Sequence, residues 1–364
     1  MNSAYRTYII AEAGVNHNGS IDLARQMIEV AAEAGVDAVK FQTFKAEKVI
    51  SQYADKAAYQ VQTTGGGESQ LEMLKKLEIS QEDHRQLFEL CRKKGIDYLS
   101  TPFDSESLCF LVNELKLSRL KIASGEITNL PFLLEVALTD KPVILSSGMC
   151  TLGEIESALG VLACGYLKLT EEDNKPSAEL FKKSYCSAEG QILLKEKVAL
   201  LHCTTEYPAP YEEVNLRAID TMRSAFDLLV GLSDHTQGIA VAIAAAARGA
   251  RIIEKHFTLD IHLAGPDHKA SLEPDELKAM VASIRQVEAA LGKSQKYPSP
   301  SEFNNIIIAR KSIVAAKPIN KGELFTEENL AIKRSGDGLE PIRYWYLLGK
   351  LSDKNYNEDE LITD

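Results

Sequence analysis

Two histidines, His235 in GLSDHTQG and His256 in IEKHFTLD, each close a short apolar run that carries a second ionisable residue, Asp234 in one and Glu254 in the other. If those runs are neighbouring strands, about 4.8 Å apart, both imidazoles reach one divalent ion and leave open positions for water and substrate oxygens. Lewis-acid activation of a carbonyl requires that arrangement, although the spacing equally allows either histidine to be only a hydrogen-bonding group. Lys40 and Lys121, with Thr101, Ser124, Ser146 and Ser233, supply cations and hydroxyls suited to a small ligand that carries a phosphate and a carboxylate at once. A lysine in such company could instead form a Schiff base, as in barrel aldolases, and that is the rival enzymatic reading. Glu12, Gln42, Glu126 and Tyr207 complete the polar residues that end or follow β-type runs. The phosphate loop GxxxxGK followed by Ser or Thr does not occur, so ATP chemistry is not indicated.

Eight β-rich runs must place these residues: 7–13, 38–44, 97–102, 119–124, 142–148, 198–204, 228–235 and 251–258. Between them lie amphipathic runs such as IDLARQMIEVAAEAG and QEDHRQLFELCRKKG, with apolar residues at helical spacing and a Gly near the end. A long helix opened by Pro274 follows the last run. Eight strands each followed by a helix indicate an α/β fold, a closed (β/α)8 TIM barrel, whose active site lies at the C-terminal strand ends. A barrel filled only for stability would prefer branched apolar residues there, whereas all eight ends of this chain carry polar or ionisable side chains. Residues 45–80, with TTGGGESQ, read as an elaborated loop above strand 2 and a natural lid. Residues 166–194 read as a charged helical insertion, a solvated decoration or an oligomer contact.

The barrel pattern spans 1–291 and gives way at 292–305, GKSQKYPSPSEFNN, to a linker. Residues 306–364 have short β-type runs and too few apolar residues for a large core, so they form a small appended domain. The chain has 364 residues and a net charge of -11, and its pI is near 5.3. Those values argue against binding nucleic acid or an anionic membrane surface. The start MNSAYRTYIIAEAG lacks a basic then apolar leader pattern, and no run reaches the roughly 18 uninterrupted apolar residues of a spanning helix. Six cysteines are scattered without a CxxC pair, as expected of free thiols in a reducing, cytoplasmic setting. Cys203 could be a nucleophile or ligand but reads as a small buried filler.

The motifs AEAGVNHNG, AVKFQTFKA, STPFD, KIASGE, ILSSGM, LLHCTTEYPAP, GLSDHTQG, IEKHFTLD and GPDHKASLEPDEL occur in this order, and with them the chain resembles the sialic acid synthase family. That family includes bacterial N-acetylneuraminate, legionaminate and pseudaminate synthases. The tail, with ARKSIVA, KGE and IKRSGDG, is similar to the antifreeze-like (SAF) domain that ends them. The resemblance implies joining phosphoenolpyruvate to an open-chain N-acetylated amino-hexose, either N-acetylmannosamine or 2,4-diacetamido-6-deoxymannose, with loss of phosphate. It implies that His235 and His256 bind a divalent metal, usually manganese, with magnesium or cobalt as substitutes. Lys40, Thr101, Lys121, Ser124, Ser146 and Ser233 match the phosphoenolpyruvate cradle. Gln42, Glu126, Tyr207 and Asp267 match residues around the sugar, and Glu12 matches the acid that handles the proton of the attacking water. It also implies a homodimer with exchanged C-terminal domains, in which Arg334 reaches the partner's barrel mouth. Ser335, where the family often has Pro, and the pair Thr204 and Thr205, where many members place an Asn, depart from the pattern. A non-enzymatic reading, a sugar- or ice-binding tail on an inert barrel, conflicts with the polar strand ends.

Overall fold

Parallel strands covered by helices are buried on both faces, and the strands of this chain have that burial almost throughout. In the computed structural model, which describes residues 6–65, 67–169 and 175–363, they are β1 (Tyr8–Gly14), β2 (Ala38–Thr43), β3 (Asp97–Pro102), β4 (Leu120–Ile122), β5 (Val143–Ser146), β6 (Val198–Cys203), β7 (Leu229–Asp234) and β8 (Ile252–His256). The hydrogen-bonded order is β3-β2-β1-β8-β7-β6-β5-β4. Its two ends, β3 and β4, lie side by side. The sheet thus comes round into the expected eight-stranded, TIM-like barrel, with a seam that lacks backbone pairing among the described residues.

Alternation of side chains divides the strands into two faces. Ile10, Ala38, Leu99, Ile144, Leu201 and Ile252 form an apolar plug inside the barrel. Two residues further along the same faces come Glu12, Lys40, Thr101, Ser146, Cys203 and Glu254. The polar layer therefore rests on an apolar floor. Gly231 keeps that floor closed, because a Cβ there would lie 2.3 Å from the Ile252 carbonyl oxygen. The opposite strand faces pack against helices such as Ile21–Ala34, whose buried Ala24, Met27, Ile28 and Ala31 recur at helical spacing. Ser20 caps that helix and Gly35, at φ 80°, ends it. Ser80 forms a capping box with Asp83 on Gln81–Lys94, and such caps contribute about 1 kcal/mol each.

Residues 45–80, of which residue 66 lies outside the described ones, read as a loop in the sequence but are partly helical. They fold into helices Ala46–Val49, Ala58–Thr64 and Gln70–Leu77. Ala46 and Leu77 share a small core of their own with Val15 and Phe44. The segment 166–194 is helical as expected, with Ala178–Cys186 and Ala188–Lys197 meeting at Ser187, while 170–174 lie outside the described residues. It joins the outer helical layer, where Gly160 of helix Leu152–Tyr166 lets the Phe181 backbone approach.

The chain divides into two units, Met1–Gly292 and Lys293–Asp364. Part of the segment read as linker is helical, from the turn Pro300–Glu302 into helix Phe303–Ala309. The second unit pairs β9 (Lys311–Ala315) antiparallel with β10 (Leu330–Arg334). Ile313, Ile319, Phe325, Tyr356 and Ile362 form its core. Among the described residues no helix is long and apolar enough to cross a membrane.

Candidate active site

β1 carries one extra residue against β2: Glu12 pairs with Lys40, but Gly14, not Ala13, pairs with Phe41. On its other side Glu12 pairs with His256 of β8. Such a bulge re-aims side chains at a barrel rim. It leaves Gly14 at φ 53°, where a Cβ would lie 3.2 Å from Glu12 Oε1 and 3.6 Å from both Gln42 Nε2 and His256 Cε1. Three candidate groups converge on that bare α-carbon, and only Gly combines the left-handed backbone with the space they need.

Below them the barrel interior holds a network of buried charges. Lys40 Nζ lies 2.8 Å from Glu12 Oε2 and 3.4 Å from Glu254 Oε2, and Lys121 Nζ lies 3.4 Å from Glu254 Oε1. Lys40 also donates to Thr101 Oγ1 at 3.2 Å, and Ser233 Oγ donates to Glu254 Oε1 at 2.7 Å. Buried charges persist only when paired, and the pairing separates the two carboxylates. Burial pushes Glu12 up to about 7 against the pull of Lys40. For Glu254 the burial penalty is outweighed by Lys121 and Lys40, which hold it well below the usual carboxylate range. One carboxyl group thus stays ionised while its neighbour is poised near neutrality, the division acid-base chemistry requires. Burial depresses Lys121, whereas for Lys40 it is overcome by Glu12 and Glu254.

The two histidines meet above this network, their ring centroids 5.4 Å apart. His235 Nδ1 donates to the Thr204 carbonyl at 2.7 Å, which turns its Nε2 towards Ser233 Oγ at 3.4 Å and Cys203 Sγ at 3.9 Å. Tyr207 stacks on His235 at 4.1 Å and meets His256 edge-on at 5.5 Å. Burial, then His235 and Lys40, push the His256 pKa well below the ordinary imidazole value, so that ring is neutral, as a metal ligand must be. Its Nδ1, Ser146 Oγ and Thr205 Oγ1 are buried with no hydrogen-bond partner among the described residues. An unmade bond at such an atom costs about 1–3 kcal/mol, so three orphaned atoms in one place mark a site that a polar ligand or ion completes. Among the described residues no third His, Cys, Asp or Glu joins the pair as a metal cluster. Two imidazoles with open positions fit a Lewis-acid ion completed by water and substrate oxygens.

These groups line a cavity of about 170 Å³ to which all eight strands contribute. Of the residues expected at the site, Glu12, Lys40, Gln42, Thr101, Lys121 and Ser124 line it, as do Ser146, Tyr207, Ser233, His235 and His256. Asp267 is buried and not among the lining residues, its Oδ2 3.9 Å from His256 Nδ1, and burial raises it to about 6. Glu126 lies in the turn Ser124–Glu126 and accepts a bond from Asn129 at 2.7 Å, and it is not among the residues lining the cavity. Arg334 belongs to the second unit, where it is exposed and ends β10 opposite Lys311. The lysines differ from the open cations expected of them, because each is already ion-paired. His17 and His268 are not at the cavity; they tie loops together, through Gly19 N on His17 Nδ1 and through Thr258 Oγ1 and Asn18 Oδ1 on His268.

Sequence reasoning counts Glu254 among the polar strand ends but gives it no role, takes Cys203 for a filler, and notes Thr205 only as a departure from the family pattern. Glu254 was legible: it precedes His256 by two residues and so shares its strand face. Cys203 is buried as expected of a filler, yet its thiol lies in the cavity wall 3.8 Å from His235 Nδ1. His202, another strand-end residue, turns outward and bonds the Val214 carbonyl at 2.5 Å.

Residues 27–296 match the NeuB family, and residues 310–364 match the SAF domain. The chain is 51% identical over 359 residues to the N,N'-diacetyllegionaminic acid synthase of Campylobacter jejuni, with 99% of each chain covered. It is 42% identical to the Legionella pneumophila protein of the same name, covering 97% of this chain and 92% of that one. Among solved structures, the N-acetylneuraminic acid synthetase of Leptospira borgpetersenii, crystallised with citrate, is 34% identical with a TM-score of 0.65, over 82% of this chain and 90% of that one.

Proposed function

This chain belongs to the NeuB family, and on that premise we propose that it condenses phosphoenolpyruvate with an N-acetylated amino-hexose and water, releasing a nonulosonic acid and phosphate. The observation that carries the reading is a single cavity that joins two cationic lysines, orphaned hydroxyls and two imidazoles. For the sugar we choose 2,4-diacetamido-6-deoxymannose over N-acetylmannosamine, because two relatives at 51% and 42% identity are named as diacetyllegionaminic acid synthases. The Schiff-base lyase has no support among the named relatives.

Lys40 and Lys121, with Thr101, Ser124, Ser146 and Ser233, hold the phosphate and carboxylate of phosphoenolpyruvate. Its methylene carbon bonds to the aldehyde carbon, water adds to the enol carbon, and phosphate leaves with its bridging oxygen. Glu12, poised at about 7, takes the proton of that water. His235 and His256 would hold a divalent ion, for which we propose Mn2+ with Mg2+ or Co2+ as substitutes, and when bound it supplies electrophilic polarisation of the aldehyde. Gln42 and Tyr207, which line the cavity, are assigned to the sugar side, and Asp267 and Glu126, which do not line it, are assigned there by resemblance alone.

A second copy of the chain completes the site in this reading, through Arg334 on the sugar's N-acyl group. Two properties of the second unit support it: Arg334 is exposed, and so are the apolar Ile342, Trp345 and Tyr346. We assign the enzyme to the cytoplasm, in keeping with six free thiols.

The test is phosphate release measured with phosphoenolpyruvate and each sugar. Release should need both substrates, be faster with the diacetamido sugar, stop in EDTA and return with Mn2+. Full activity in a verified metal-free preparation would rule out the metal, and preference for N-acetylmannosamine would rule out the sugar. Arg334→Ala removes a charge-assisted bond worth about 1.5–3 kcal/mol and should lower sugar use about ten- to a hundredfold. Mixing it with His256→Ala chains should restore activity in part if the domains are exchanged. Proven subunit exchange with no recovery would refute the exchange.

A further inference from the structure

Glu254 has no task in the reaction just described, yet it contacts both lysines of the phosphoenolpyruvate cradle. Its Oε1 accepts from Ser233 at 2.7 Å and lies 3.4 Å from Lys121 Nζ, while its Oε2 lies 3.4 Å from Lys40 Nζ. Both ammonium contacts are longer than the 2.8 Å between Lys40 and Glu12, and longer than a charge-assisted hydrogen bond. Oε2, like Oε2 of Glu12, makes no hydrogen bond of good geometry among the described residues. The carboxylate is thus fixed by Ser233 and only loosely held by the lysines. Glu12 and Glu254 thus set two carboxyl groups against the two lysines before any ligand arrives.

That balance bears on both ends of the catalytic cycle. Two buried lysines facing one cavity repel each other and lose charge unless an anion stands between them. The same lysines, left with no internal counter-charge, would hold phosphate so firmly that it would leave slowly. We infer that Glu254 is a built-in competitor for the phosphate position, a positioning residue that keeps Lys40 and Lys121 charged and apart in the empty site and weakens their hold on phosphate so that the product leaves. The inference rests on the proposed reaction, in which these lysines hold phosphoenolpyruvate, and takes its phosphate as the group they face.

Glu254→Gln keeps the volume and an oxygen for the Ser233 bond while removing the charge. Equilibrium dialysis of the full-length protein with radiolabelled inorganic phosphate should show binding about tenfold tighter in this variant, because a neighbouring negative charge has been deleted. In steady-state assays KM for phosphoenolpyruvate should fall together with kcat, and a pre-steady-state burst of product should appear as phosphate release becomes slow. Glu254→Asp keeps the charge but withdraws it by one methylene, so phosphate should bind about two- to threefold tighter than in wild type. If the Gln variant does not fold by circular dichroism, the Asp variant carries the ranking alone.

A residue that only props up the lysines gives the opposite pattern, with weaker phosphate binding and a higher KM in every variant, and that result or unchanged phosphate affinity overturns the inference. A wild-type protein that turns over normally beside such variants would sink the competitor role alone. Variants that obey the ranking in a protein that makes no product would sink the proposed reaction and leave the competitor role standing. Wild-type protein that binds no phosphate would remove both.

Discussion

Glu254 and Lys255 are neighbours on β8, equally buried, and face opposite sides of the barrel wall. Outside, between sheet and helices, Lys255 donates to Asp234 Oδ2 at 2.9 Å and to the Thr236 carbonyl. Asp234 Oδ1 in turn accepts from the backbone and hydroxyl of Thr236. That network is closed. Inside, the charges around Glu254 are paired at longer range, and Ser146, Thr205 and His256 keep polar atoms without partners. Burial costs a charge about the same on either face, so what separates a structural ion pair from a binding site is whether every lone pair and proton is already used.

The largest effect that sharpens this contrast is on the inner face. Replacing His235 or His256 by Ala should lower turnover by about 1,000-fold or more, roughly 4 kcal/mol of barrier, while the melting temperature moves by only a few degrees. Near-normal turnover in either variant would break the assignment of the inner face to chemistry.

On the outer face, Lys255→Met leaves Asp234 buried and unpaired, and urea denaturation should show a loss of about 3–5 kcal/mol. Turnover per folded molecule should suffer far less than in His256→Ala. Unchanged stability would mean that the closed network is not what supports the wall.

A smaller effect concerns outer-face imidazoles. Burial holds His84 at about 3 and His17 at about 4 in the folded chain, and His84 Nδ1 bonds the Tyr98 hydroxyl at 2.6 Å. The unfolded chain takes up these protons near pH 6.5, so the stability due to neutral burial is present above that pH. It is lost as pH falls from 6.5 towards the folded values. Between pH 6.5 and 5 the loss should be about 2 kcal/mol per imidazole. Residues 293–364 contain no histidine, so amide exchange there, after correction for the intrinsic rate, should change less over this range than exchange in 1–292. Equal acid sensitivity in the two units would refute this account.

Much of this molecule is written locally. The eight strands, the caps at Ser20 and Ser80, the Gly35 terminator and the helix opened by Pro274 follow from the types of neighbouring residues and their period. Once eight strand-helix repeats are read, the barrel rule alone sends Lys40, Lys121, His235 and His256 to one end. Period two would also have separated Glu254 from Lys255, and His202 from Cys203. Three things needed the tertiary structure. The bulge at Ala13 sets which way Glu12 points. The closeness of β8 to β2 and β4 across the barrel turns Glu254 into the partner of two lysines from distant strands. The distances decide that these lysines are paired and that Ser146, Thr205 and His256 are not. Ion pairing and hydrogen-bond saturation depend on ångström-scale separations between residues far apart in the chain, such as Lys40 and Glu254, 214 positions apart, and no local pattern of residue types encodes them.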